Sequence, residues 1–146
     1  MNQSFAPIKI LLVEDNPGDV RLTKEALRDS KINNTLEVVE DGLEAIDFLN
    51  KKGKFKKAER PDLILLDLDL PNMSGREVLQ LVKEDESLRL IPIVILTVSQ
   101  SDQDILKSYD MQANAFVSKP VDLDQFIHII RSIEDFWFTI VKLPRR

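Results

Sequence analysis

The chain has 146 residues, a net charge of -5 and no cysteine. That is the size of one domain, it excludes disulfides and thiolate metal sites, and its acidic balance leaves no general basic field for nucleic acid. No apolar run approaches the ~20 residues of a membrane helix, and no basic segment followed by an apolar one marks a signal peptide, so a cytoplasmic protein is expected.

Strand-like and helix-like patterns alternate along the chain. Ile8 to Val13 reads as a strand. Asn16-Pro17 then reads as an N-cap with proline at the first helical position, opening a helix that ends near Ser30 with Val20, Thr23, Ala26 and Leu27 on its apolar face. Thr35 to Glu40 is a second strand, broken by Asp41-Gly42. Leu43, Ala45, Ile46, Phe48 and Leu49 are expected to line the next helix. The stretch 51–57 carries five lysines in seven residues and reads as a solvated loop. Leu63-Ile64-Leu65-Leu66 has no polar face and suits a strand buried on both sides, as in a parallel sheet. Pro71 to Gly75 is a turn-rich loop, with Val78, Leu79 and Val82 lining the helix after it. A fourth strand is predicted from Ile91 to Thr97, a polar helix from Asp102 to Tyr109, a fifth strand from Ala115 to Ser118, and a long last helix from about Asp122 to Val141. Five strands alternating with five helices predict one doubly wound α/β domain with a parallel sheet and right-handed crossovers.

The chemistry-bearing residues fall after the strands. Glu14 and Asp15 follow the first, Asp67 and Asp69 the third, Thr97 ends the fourth with Ser99 beyond it, and Lys119 follows the fifth. A parallel sheet sends all of them to its carboxyl edge, where open α/β folds place their sites. Carboxylates alone predict a hard-cation site. The added ammonium and hydroxyl make sense if a phosphoryl group arrives, since cation and ammonium neutralise its oxygens and the hydroxyl donates to one. An aspartate can itself be the nucleophile, forming an acyl phosphate.

At these residues the chain resembles the receiver domains of two-component response regulators. Glu14-Asp15, the run Asp67-Leu68-Asp69-Leu70-Pro71 with Gly75, Thr97 and Lys119-Pro120 stand in the family's order and spacing, over about residues 7–133. The resemblance implies a flavodoxin-like sheet of strand order 2-1-3-4-5. It implies Asp67 as phosphoacceptor and a magnesium site using Asp15, Asp67, Glu14 through water, and the backbone carbonyl of Asp69. Thr97 and Phe116 become the switch pair, and Lys119 the ammonium that meets the phosphoryl group. Position 116 is Phe where many members carry Tyr, and Val98 is larger than the Ala or Gly common beside the switch hydroxyl. The lysine loop and the Phe136-Trp137-Phe138 tail are similar to the single-domain regulators of phytochrome histidine kinases.

The tail extends past the core as residues 134–146. Phe126, Ile130, Ile133, Trp137 and Ile140 make one apolar stripe, and Ile129, Phe136 and Leu143 a second. One helix on a sheet needs only one stripe, so the surplus predicts a homodimer through the fourth or fifth helix and this extension. The only histidine, His128, is expected to be structural or exposed. Two other functions compete. Asp67-Leu68-Asp69 also looks like the Asp-x-Asp motif of haloacid dehalogenase-type phosphatases, although Pro71 and the lack of room for a cap oppose that. A phosphorylation-independent binding module is the third reading.

Overall fold

The computed structural model describes residues 7–29, 33–97 and 115–118, together with Asp124 and His128. The chain runs β1 (Ile8–Val13), α1 (Pro17–Asp29), β2 (Asn34–Val39), α2 (Gly42–Leu49), β3 (Leu63–Asp67), α3 (Gly75–Glu84), β4 (Ile93–Thr97) and β5 (Ala115–Ser118). The strands form one sheet in the order β2-β1-β3-β4-β5, every pair parallel. This is the expected order. The helix expected at 102–109 lies outside the described residues, as does the last helix apart from Asp124 and His128, which are both helical and exposed.

The sheet has a core on each face, as a strand alternating its side chains requires. Ile10 and Leu12 of β1, Leu63 and Leu65 of β3, and Val94 and Leu96 of β4 pack with Ala26 and Leu27 of α1. Their neighbours Leu11, Val13, Ile64, Leu66, Ile93 and Ile95 face the other way, onto α2 and α3. All five residues of β3 are buried, which is why that strand carries no alternation. Removing one of these leucines down to alanine costs about 2–5 kcal/mol.

The helix starts are set by side-chain caps. Asn16 Oδ1 accepts the N–H of Asp19 at 3.0 Å, with Pro17 at the first helical position as expected. Asp41 Oδ1 accepts the N–H of Glu44 at 2.8 Å, and the Glu44 carboxylate accepts the N–H of Glu40 at 2.9 Å. Ser74 and Glu77 form a reciprocal capping box at α3. Three expectations shift. β2 begins at Asn34 and ends at Val39, and β4 begins at Ile93, because Pro92 has no N–H to give the ladder. Leu43 is not a core residue: it is 50% exposed on the outer side of α2, where Ala45, Phe48 and Leu49 make the buried face.

Candidate functional site: a carboxylate cluster at the sheet edge

β1 and β3 are direct neighbours, with Val13 paired to Leu66. The next residue of each chain segment is an acid, so Glu14 and Asp67 leave the sheet side by side. Asp15 joins them. Carboxylate oxygens of Glu14, Asp15 and Asp67 all lie within 4.8 Å of one another. Glu14 is fully buried and Asp67 only 3% exposed, whereas Asp15 is exposed. The backbone N–H of Glu14 donates to Val39 O at 3.0 Å, extending the ladder one step past β1. Its Oε2 accepts the N–H of Asn16 at 3.2 Å. Asp67 Oδ1 accepts the N–H of Asp69 at 3.2 Å, which fixes the carboxylate against the loop that follows it.

Three carboxylates this close repel one another, and burying two of them adds a desolvation cost that a cation offsets. The donor set is all oxygen, with no soft ligand. It fits a small hard divalent cation, with the exposed Asp15 side open to water and to an incoming oxygen.

The loop after β3 is held by its close approach to two helices. Gly75 N–H donates to Leu68 O at 3.1 Å. A Cβ at Gly75 would fall on the carbonyl oxygen of Asp67 and lie 2.6 Å from Leu68 Cα. A Cβ at Gly42 would meet the backbone of Met73 in the same loop. Asn72 sits at a φ of 66° and donates from Nδ2 to Asp41 Oδ2 at 2.8 Å. Asparagine tolerates that left-handed conformation better than most residues. Asp41 therefore caps α2 with one oxygen and holds the site loop with the other.

The other expected site residues can be placed on the backbone. Leu96 pairs with Asp67, so Thr97 follows at the same sheet edge, opposite Ser118 of β5. Phe116 pairs with Ile95, two residues inside that edge. Asp69 is exposed, and its carboxylate is not one of the three clustered groups. Lys119, Phe136, Trp137 and Phe138 lie outside the described residues. Sequence reasoning missed the Asp41–Asn72 tie. It also passed over the Ser74-x-x-Glu77 spacing, which is the local signature of the capping box found there.

The model of the response regulator receiver domain matches residues 10–131. The chain belongs to the response regulator receiver family. The match takes in every expected site position from Glu14 to Lys119, and it sets aside the haloacid dehalogenase alternative. This receiver is 41% identical over 143 residues to response regulator Rcp1 of Synechocystis sp., covering 98% of this chain and 97% of Rcp1. Among solved structures, the bacteriophytochrome response regulator RtBRR superposes with a TM-score of 0.82 at 47% identity, over 88% of this chain and 78% of RtBRR. The phosphorylated cyanobacterial phytochrome response regulator RcpA gives 0.78 at 45% identity, over 96% of the receiver and all of RcpA. Rcp1 itself has been solved in a manganese-bound form, with a TM-score of 0.77 over 95% of the receiver and all of that chain. Among the described residues, no helix of the receiver is long and apolar enough to cross a membrane.

Proposed function

We propose that this receiver accepts a phosphoryl group on Asp67 from a partner histidine kinase of the phytochrome type and switches a protein-interaction face in response. The observation that carries the reading is the cluster of Glu14, Asp15 and Asp67 at the carboxyl edge of the sheet. Relatives of 41–47% identity, one solved phosphorylated and one with a divalent cation bound, support it.

In this reading an oxygen of Asp67 attacks phosphorus, the bond from phosphorus to the donor breaks, and an acyl phosphate results. Asp15 and Asp67 would hold magnesium directly, with Glu14 acting through water and Asp69 through its backbone carbonyl. The ion would supply charge neutralisation for the phosphoryl oxygens. Lys119 pairs with the new anion and Thr97 donates its hydroxyl to it, while Phe116 packs inward. Phosphorylation adds about one and a half to two negative charges and three strong acceptors, a local charge change that biases a two-state face. Attack of water on the acyl phosphate restores the carboxylate and releases phosphate. In this reading Asp69, together with Ser99, tunes that attack.

In this reading residues 7–133 form the receiver core and 134–146 a helical extension of it. The protein works in the cytoplasm as a homodimer, without binding nucleic acid or membrane. The doubled apolar stripe of the tail, with Phe136, Trp137 and Phe138, supports the dimer.

The test is intact mass after incubation with acetyl phosphate, with and without magnesium, for the wild type and Asp67→Asn. The expected result is a magnesium-dependent gain of one phosphoryl group that the variant lacks. A gain that persists in Asp67→Asn overturns the assignment of the acceptor. Absence of any gain, from acetyl phosphate or a phosphorylated kinase, favours a phosphorylation-independent binding module.

A further inference from the structure

The loop between β3 and α3 passes through a strained turn close to the phosphoacceptor. Met73 N–H donates to Pro71 O at 2.7 Å, closing a ring around Asn72, and Asn72 has a φ of 66°. A hydrogen bond that skips one residue of positive φ makes the rare, strained form of the γ-turn. Strain of this kind persists only where the surroundings over-determine it. The surroundings here are the first turn of α2. We propose that Asn72 and Asp41 form a positioning pair for the cation and phosphoryl chemistry at Asp67, acting through the backbone of this loop. The inference rests on the phosphoryl reading above.

One end of the pair is anchored. Asp41 Oδ1 accepts Glu44 N–H at 2.8 Å, and its carbonyl accepts Ala45 N–H at 3.1 Å. Glu44 in turn holds Glu40 N–H at 2.9 Å and pairs with Lys54 at 3.2 Å. Onto this fixed carboxylate Asn72 donates from Nδ2 at 2.8 Å, across 31 positions of sequence. Gly42 brings the two segments together, since a Cβ there would run into the Met73 backbone.

The other end carries the site. Asp69 precedes Asn72 in the same loop. Its N–H donates to Asp67 Oδ1 at 3.2 Å, and its carbonyl is the expected cation ligand. Both groups belong to one residue, so a shift of the turn displaces a cation ligand and the nucleophile's hydrogen-bond donor together. Gly75 N–H, bonded to Leu68 O at 3.1 Å, closes the loop on itself. The bond from Asn72 ties it to a different element. Misplacing reacting groups by about 1 Å can cost on the order of a hundredfold in rate, so even a partial loss of this tie is measurable.

Two variants test the pair. Asn72→Gly removes the side chain while glycine accepts the positive φ, so the tie is lost and the turn is kept. The exchange Asp41→Asn with Asn72→Asp keeps the net charge, keeps an oxygen for Glu44 N–H and reverses the donor of the tie. Amide exchange of the metal-free protein, calorimetric magnesium titration and phosphoryl uptake from acetyl phosphate are measured on each. In Asn72→Gly, exchange at Asp69 and Gly75 is expected to quicken with Ala45 unchanged, magnesium Kd to rise about tenfold, and uptake to slow. The exchanged pair is expected to return all three to wild-type values, which a loss of general stability would not do. Unchanged Asp69 exchange and magnesium Kd in Asn72→Gly, or an exchanged pair no better than Asn72→Gly, overturns the proposal. A wild type that takes up no phosphoryl group, while magnesium Kd still follows the tie, supports the pair as organiser of the cation site and overturns the phosphoryl reading alone.

Discussion

Gly75 shows how one missing side chain shapes the site. α3 starts against the carbonyl of Asp67, and the atoms in the way are backbone, which cannot swing aside as a flexible side chain does. Gly75→Ala is therefore expected to push the β3–α3 loop off the carboxylate cluster. Magnesium affinity should fall by roughly tenfold or more, which is about 1.4 kcal/mol, with about 1–3 kcal/mol of lost stability from the overpacking. Calorimetric titration and urea melts check both. Unchanged magnesium affinity would show that the loop yields freely and that the glycine is not needed for the site. At this scale the acids were legible because each follows an apolar run, and a parallel sheet leaves little choice about where they meet. The bond from Asn72 to Asp41 was not legible. It spans 31 positions, and neither residue carries a local signal for the other.

Single elements carry their own titration. Asp85 closes the C-terminus of α3, and its Oδ1 accepts from the Ser87 hydroxyl at 2.9 Å, the Leu88 N–H at 3.1 Å and the Ser87 N–H at 2.8 Å. These bonds favour the charged form and hold the carboxyl below its ordinary value of 3.8. The unfolded chain binds the proton more readily, so the stabilisation is present above 3.8 and is lost as pH falls through the lower folded value. Asp85→Asn keeps the acceptor oxygen and removes the charge. It should lower Tm at neutral pH, and the gap from wild type should close in acid. A gap constant across the acid range would contradict the charge assignment. The β1 and β5 bounds, the β3 start and the α1 start were readable from runs and caps, while β3 runs one residue further than its apolar run, to Asp67. Leu43 was misplaced because α2 is only 8 residues long and two of its apolar positions compete for one narrow face.

The whole molecule couples the acidic site to the fold. Because the three carboxylates come from the end of β3 and the residues just after β1, a cation bridging them ties the sheet's centre and binds only the folded state. At magnesium about 100 times its Kd the gain is about 2.7 kcal/mol. Tm should rise on adding magnesium and return with chelator, and Asp15→Asn should respond less. An equal rise in the variant would place the ion elsewhere. Association is a second property of the whole. Sedimentation at micromolar concentration is expected to give a dimer, with Trp137→Ser shifting it to monomer. A monomeric wild type overturns the dimer.

One feature of the sheet limits how such copies join. β2 is an outer strand, and an outer strand is a template on which another chain can add a strand and go on adding. Here Thr35 and Glu37 are exposed on that strand, so a continued sheet would stack a carboxylate on a carboxylate at every layer. Growth by edge pairing is disfavoured on this side, so the outer strand is poorly suited to seed fibrils.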